Sequence, residues 1–319
     1  MTSPRAKAIA IAAGVFGATL LVAAWRGSIF GIVFGTLLSP LPAAMAVLSF
    51  GTAALPFVIA GGVAATTLLT GTFALAVVYL LLDAAPVALL VWLSLRPGKA
   101  SGVGTSAIGK ALAWLTLAAL ALVVAGLAAM PVSDGSVAVT VRQWLGDFVA
   151  AAVNGQGATG LQLPPQRAAA LDAMASFLPG AMGWNWCLRG VVSVVLAQAA
   201  IERLGNAAVP TPNYRTVAVP GWLRAGFWAI AVVGWLATGD VQYVAMNAAA
   251  VMCFPLLLQG LAVVHCGVAR LDYAGMWLVA FYVLSLLMSA LAFVVLVSLG
   301  VVDHFLKLRA RMVPPPQGG

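Results

Sequence analysis

Long apolar runs separated by short polar loops divide this chain, and each run is about as long as the 20 residues that cross a bilayer as a helix. The first covers 8–25, behind Arg5 and Lys7. Between residues 27 and 95 there is no Lys or Arg and a single acid, Asp83, which predicts three helices near 28–48, 50–70 and 72–95. A basic loop, 96–110, leads to a span near 112–130. Further runs cover 177–200, 222–238, 239–265 and 275–301. The pattern predicts an all-α, polytopic transmembrane helical bundle of eight or nine spans.

Two stretches depart from simple spans. At Ser39-Pro40-Leu41-Pro42 two prolines remove backbone donors and push the preceding residues out of helical geometry, so this helix is expected to be kinked or discontinuous at Pro40 and Pro42. A kink at the interface and a broken helix lining a transport site both fit. In the polar region 131–176, Val137, Val141, Trp144, Leu145, Phe148 and Val149 fall on one side of a predicted amphipathic helix, with Thr140, Gln143 and Asp147 on the other. Such a helix is expected to lie on the membrane surface. A Gly- and Pro-rich loop, 154–166, follows it.

Composition makes the class firm. Of 319 residues 63% are hydrophobic and only 8% charged, against roughly 25% charged in soluble domains. The formal charge is +8, but the cations sit in short loops, which points to topology and anionic headgroups. No basic stretch is interleaved with aromatics, so nucleic acid is not an expected partner. The N-terminus imitates a secretory signal, with Val22-Ala23-Ala24 as a cleavage-like end, yet the run is long and further spans follow; an uncleaved first helix is expected. Cys187, Cys253 and Cys266 lie in apolar segments without metal-ligand spacing and are expected to be small buried hydrophobes.

The cations also raise a conflict. Positive residues mark the cytoplasmic side, and the N-terminus, the 96–110 loop and the 203–224 loop agree on it if four spans precede residue 96. The 131–176 loop then falls outside. Nine spans would also place the basic tail, with Lys307, Arg309 and Arg311, outside, so one assignment in the count fails or the tail is an exception.

Few residues are candidates for chemistry. Asp83 and Arg189 lie deep in their runs, and buried charges pair or face water. They are proposed as a pair, serving either as a structural clamp or as a substrate or proton site. In the 239–265 span, Tyr243 and Asn247 share a helix face, as do Pro255 and Gln259. Asn247, Pro255 and Gln259 are expected to look inward, as interhelical hydrogen-bonding groups or as ligand contacts. His265 falls near the helix end, at the membrane edge. No metal-ligand cluster, nucleotide-binding loop, cofactor motif or catalytic carboxylate pair is present, so an enzyme is not expected. Ala8, Ala12, Ala13, Gly14, Gly17 and Ala18 would let another helix approach the first one closely.

Two stretches, LAQAAIERLGNAAVPTPNYRTVAVPGWL (196–223) and GDVQYVAMNAAAVMCFPLLLQGLAVVH (239–265), with Phe281-Tyr282 and LGVVDHFLKLR (299–309), resemble the YybS-like bacterial integral membrane family (domain of unknown function 2232). The Ser39–Pro42 break fits the same family. The resemblance implies a multi-pass protein of the bacterial inner membrane and, more distantly, similarity to the substrate-binding components of energy-coupling-factor transporters. It thus implies a six-helix core over 1–200, three added helices over 201–312, one membrane domain over 1–312 and a disordered tail, 313–319. A small-molecule ligand and a partner membrane protein are the interactions implied, besides the bilayer itself. A membrane scaffold of the cell envelope is the alternative function.

Overall fold

A computed structural model describes residues 3–95, 106–132, 135–154, 165–205 and 213–312. Most of the 96–110 loop, most of the 154–166 loop and the tail 313–319 expected to be disordered lie outside the described residues. Within them every regular element is helical. Among the described residues seven helices are long and apolar enough to cross a membrane: Pro4–Trp25, Thr52–Thr70, Ala74–Leu93, Ala107–Ala129, Ala169–Arg203, Gly239–Val268 and Ser289–Leu306. Three shorter apolar helices, Thr36–Phe50, Gly221–Leu236 and Ala274–Leu287, complete the set. The protein is an all-α, multi-pass membrane protein.

The chain forms two compact units, Met1–Leu115 with Asn185–Val219 and Thr116–Trp184 with Pro220–Gly319. A cut at residue 200 into a core and an addition does not follow these units, because they interleave along the sequence.

In the first unit, α1 (Pro4–Trp25) turns back through Gly27, whose φ of 72° suits a residue without Cβ, into a π-helical turn, Gly31–Gly35. Then come α2 (Thr36–Leu38), the interruption at Ser39-Pro40, and α3 (Leu41–Phe50). Pro42 sits in the first turn of α3, where its missing N–H costs nothing. Glycines set how closely these segments approach. A methyl group on Gly35 would lie 2.2 Å from the Leu20 carbonyl oxygen, and one on Gly17 would lie 2.6 Å from that of Ser39.

Helix α4 (Leu55–Thr70) runs parallel to α1, with Gly14 against the Val58 carbonyl and Gly61 against that of Ile11. Gly14, Gly17 and Ala18 are therefore buried within the unit rather than offered outward, whereas Ala8 and Ala12 stay exposed. Next are α5 (Ala74–Tyr79), a second π-helical turn, Leu80–Ala84, and α6 (Ala85–Leu95). Val47, Val58, Val87, Val91 and Ile201 form the apolar centre. The start of α7 (Ala107–Ala129) and the C-terminal half of α9 (Pro165–Arg203) complete the unit.

The second unit holds the amphipathic helix, α8 (Val137–Asn154). Its start is fixed by Asp240, whose Oδ1 accepts from the Val137 N–H at 2.9 Å and the Ser136 hydroxyl at 3.1 Å. The buried stripe is narrower than expected: Val141 and Leu145, flanked by Val137 and Val149, pack on Leu127 and Ala175. Trp144 and Phe148 stack on each other at 5.7 Å and are exposed, while Thr140, expected on the polar side, is buried and donates to the Ser136 carbonyl. Phe148 lies at nearly the same angle around the helix as Val137 and Val141, so what it lacks is a covering neighbour rather than the right face; Leu127 and Ala175 cover the helix at Val141 and Leu145.

Helices α10 (Gly221–Leu236) and α11 (Gly239–Val268) are antiparallel, with Gly234 facing Met246 and Gly226 facing Met252. The run 275–301, expected as one span, is two helices, α12 (Ala274–Leu287) and α13 (Ser289–Leu306). Apolar residues run on both sides of Ser289, and one serine is too little for hydropathy to mark a boundary there. Helix α13 is parallel to α11. A methyl on Gly260 would meet the Leu296 carbonyl at 1.9 Å and the Gly300 nitrogen, and one on Gly300 would meet the Leu256 carbonyl at 2.0 Å and the Gly260 nitrogen. Phe254 and Phe293 both pack on Trp184, Gln259 donates to Asp303 and Gly267 faces Met312, so contacts advance together along the two helices and fix the same direction for both. Helix α12 is the return stroke between them.

That arrangement removes the conflict over the tail. The end of α13 and the short α14 (Leu308–Met312) lie at the same end of the unit as Arg270 and as Arg224, whose Nη2 is 3.1 Å from His304 Nε2. Arg309 holds this end by donating from its backbone N–H, Nε and Nη2 to the Asp303 carboxylate. In a cysteine-free background, Ala310→Cys and Asp272→Cys are expected to label with a membrane-impermeant maleimide from one side and Thr238→Cys from the other. Labelling of positions 310 and 272 from opposite sides contradicts the parallel pair. Gly260→Ala is expected to cost about 1–3 kcal/mol through overpacking, read from unfolding in mixed micelles.

Candidate binding centre

The polar residues predicted from sequence separate into two sets, one in each unit. The second unit contains Asn247, Pro255 and Gln259. Pro179 interrupts the backbone ladder of α9, because it has no N–H for the Ala175 carbonyl. Tyr243 supplies that hydrogen bond from its hydroxyl at 2.7 Å. One turn later Asn247 accepts the Gly180 N–H at 2.8 Å and donates to the carbonyls of Ser176 at 3.0 Å and Tyr243 at 2.9 Å. Both amide hydrogens of Asn247 are thus used.

Gln259, three turns along α11, donates to the Gly300 carbonyl at 3.0 Å and to Asp303 Oδ2 at 3.1 Å. Pro255 is buried between them in sequence. Asn247 and Gln259 are 12 residues and so about 18 Å apart along the helix, and they meet different neighbours. The structure buries all three residues but does not gather them into one site; they stitch α11 to α9 and to α13. His265 lies in the last turn of α11, near the helix end as expected, and is buried there with Nε2 2.7 Å from the Tyr282 hydroxyl.

The first unit contains Asp83 and Arg189, and they meet. Arg189 Nη2 donates to Asp83 Oδ1 at 2.5 Å and to Ser39 Oγ at 2.7 Å. Asp83 and Ser39 are wholly buried and Arg189 is 4% exposed. Local backbone explains how each arrives. Asp83 lies in the π-helical turn Leu80–Ala84, just before Pro86. In the π register the Leu81 carbonyl would take the N–H of residue 86, which proline lacks, and Trp186 Nε1 donates to it instead at 2.8 Å. Ser39 is presented by the interruption before Pro40, and the adjoining Leu37 carbonyl accepts from Ser193 Oγ. Gly190 lets α9 close on the Pro86 ring, where a methyl would approach to 2.8 Å.

Trp186, Arg189, Gly190 and Ser193 stand at i, i+3, i+4 and i+7, so one face of α9 serves the whole centre. Of these, only Arg189 was singled out from sequence. The spacing of the other three was the available signal.

The centre is incompletely bonded. Asp83 Oδ2, Arg189 Nε and the hydroxyl of Tyr79, one turn before Asp83, are buried and make no hydrogen bond among the described residues. Tyr79 lies flat on Gly62, where a methyl would collide with its ring. Buried polar atoms are almost always paired with protein, water or ligand, and π-helical turns recur at functional sites. Among the described residues no group of three His, Cys, Asp or Glu side chains could hold a metal ion.

Removing one member of a buried ion pair strands the other, at about 3–5 kcal/mol, whereas removing both costs less than the sum. Asp83→Asn and Arg189→Gln are each expected to destabilise by that order in bilayer or micelle unfolding, with the double variant no worse than either single one. Additive losses rule out direct pairing. Asn247→Ala strands the Gly180 N–H and the Ser176 carbonyl and is expected to cost about 1–3 kcal/mol in the same assay.

No curated protein and no solved structure matches the chain. A family model described as a predicted membrane protein (DUF2232) matches residues 15–304, nearly all of the apolar sequence, and the chain belongs to that family.

Proposed function

We propose that this protein is a small-molecule binding component of a transport system in the bacterial inner membrane, and that Asp83, Arg189 and Ser39 form its recognition centre. One observation carries the proposal: a wholly buried charge pair that leaves Asp83 Oδ2 and Arg189 Nε without partners. An ion pair kept only for stability is favoured when its remaining donors and acceptors are satisfied. The helices around it are interrupted at Ser39-Pro40 and π-helical at Gly31–Gly35 and Leu80–Ala84. Interrupted helices supply binding groups at membrane depth in many transporters. The distant resemblance to energy-coupling-factor binding components that the sequence suggests would imply the same role.

The role is binding and passage rather than bond chemistry. No nucleotide-binding loop is present in the sequence, so active transport would draw on a partner ATPase or an ion gradient.

Native mass spectrometry of the full-length protein, released from nanodiscs, tests this. A retained small molecule near one per chain is expected. Arg189→Lys keeps the charge but loses the planar fork; it is expected to lower occupancy at least about tenfold, equivalent to about 1.4 kcal/mol, with the melting temperature kept. Stoichiometric protein partners with no small molecule overturn the reading in favour of an envelope scaffold.

A further inference from the structure

We infer that the centre selects an uncharged hydrogen-bonding group, one that accepts and donates side by side, such as a primary or cyclic amide, and rejects carboxylates. The inference rests on reading the centre as a binding site and specifies its ligand. Nε and Nη2 lie on one edge of a guanidinium, and with the two oxygens of a carboxylate they ordinarily make two parallel hydrogen bonds. Here only one half of that fork is closed, Nη2 to Asp83 Oδ1. The other half, Nε–H and Oδ2, is unpartnered although both atoms are buried. Each of those atoms is next to the closed bond through its own planar group, so the pair offers one buried donor and one buried acceptor a short distance apart. Its complement is an acceptor beside a donor. A carbonyl taking the Nε–H and an N–H reaching Oδ2 meet that demand within one amide.

Charge supplies the second argument. Asp83 and Arg189 cancel, and the other buried polar residues of this unit among the described residues, Ser39, Thr66, Tyr79, Ser193 and Gln198, are uncharged. An anion would bring an unbalanced charge into the low-dielectric interior and would have to take Arg189 from Asp83. An ammonium would do the same with the opposite sign. A neutral amide leaves the pair closed and the charge at zero. Ser39 and Tyr79 add hydroxyls, which serve the same kind of group.

Acetamide and acetate are isosteric probes that separate the two classes. With full-length protein in nanodiscs and 15Nε-labelled arginine, the Arg189 resonance is assigned by its loss in Arg189→Lys. Acetamide is expected to shift it, and acetate at equal concentration is expected to leave it in place. In Asp83→Asn the centre carries a net positive charge, and acetate is expected to shift the resonance; circular dichroism and melting confirm that this variant is folded. A shift of the wild-type resonance by acetate and not by acetamide overturns the inference while leaving the binding centre standing. A shift by neither probe, together with no retained small molecule in native mass spectra, overturns both.

Discussion

Every backbone N–H and C=O at membrane depth must find a partner inside the protein, and much of this structure follows from that constraint. Prolines inside its apolar helices leave carbonyls that their own helices cannot serve, and at Pro86 and Pro179 a side chain from a neighbouring helix serves them. Trp186 reaches the Leu81 carbonyl ahead of Pro86. Tyr243 reaches the Ala175 carbonyl ahead of Pro179, and Asn247 bridges the next two backbone groups. Neighbouring helices must come close for side chains to do this. Glycines at 14, 17, 61, 190, 260 and 300 remove the Cβ that would hold them apart. Polarity in the spans, proline positions and glycine positions are therefore one design rather than three.

Under that constraint, a polar group in a span is first of all a stitch, and function is sought where stitching is left incomplete. Asn247 has both amide hydrogens bonded, and Gln259 donates twice. Breaking them loosens helices. Asp83 and Arg189 are joined by a single bond and keep one acceptor and one donor unpartnered. The cost of burying such atoms is large enough that their persistence calls for an occupant. The contrast shifts the candidate site from α11, whose polarity is conspicuous in the sequence, to three residues contributed by α9, a π-helical turn and a helix break.

Much of the fold was legible because hydropathy reports burial in lipid directly. The first helix, the spans through residue 130, the amphipathic helix α8 and the interruption at Ser39-Pro40 all follow from runs, periods and prolines. The Asp83–Arg189 pair was legible for a simple reason: these were the two charges proposed for deep membrane positions. What escaped had no local mark. Met288 reverses the chain where a single serine is all that interrupts the apolar run, and only the contacts of α11 with α13 and α14 reveal it; the misplaced basic tail was its one outward symptom. Ser39 looked like part of a break rather than a partner for Arg189. Trp186 and Tyr79 looked like ordinary apolar bulk, since their polar atoms matter only once the carbonyl or the empty flank beside them is known. Pro179-Gly180 was a readable clue that some side chain must serve Ala175, though not which one.

The central claim is that the Asp83–Arg189 pair is half closed in order to hold something. An experimental density map of the protein in lipid nanodiscs, at a resolution that separates Nε from Nη2, tests it most directly. The account predicts density for a bound group between Arg189 Nε and Asp83 Oδ2, with the Nη2 to Oδ1 bond intact. A closed, two-bonded bridge with Nε resting on Oδ2 and no intervening density would contradict it.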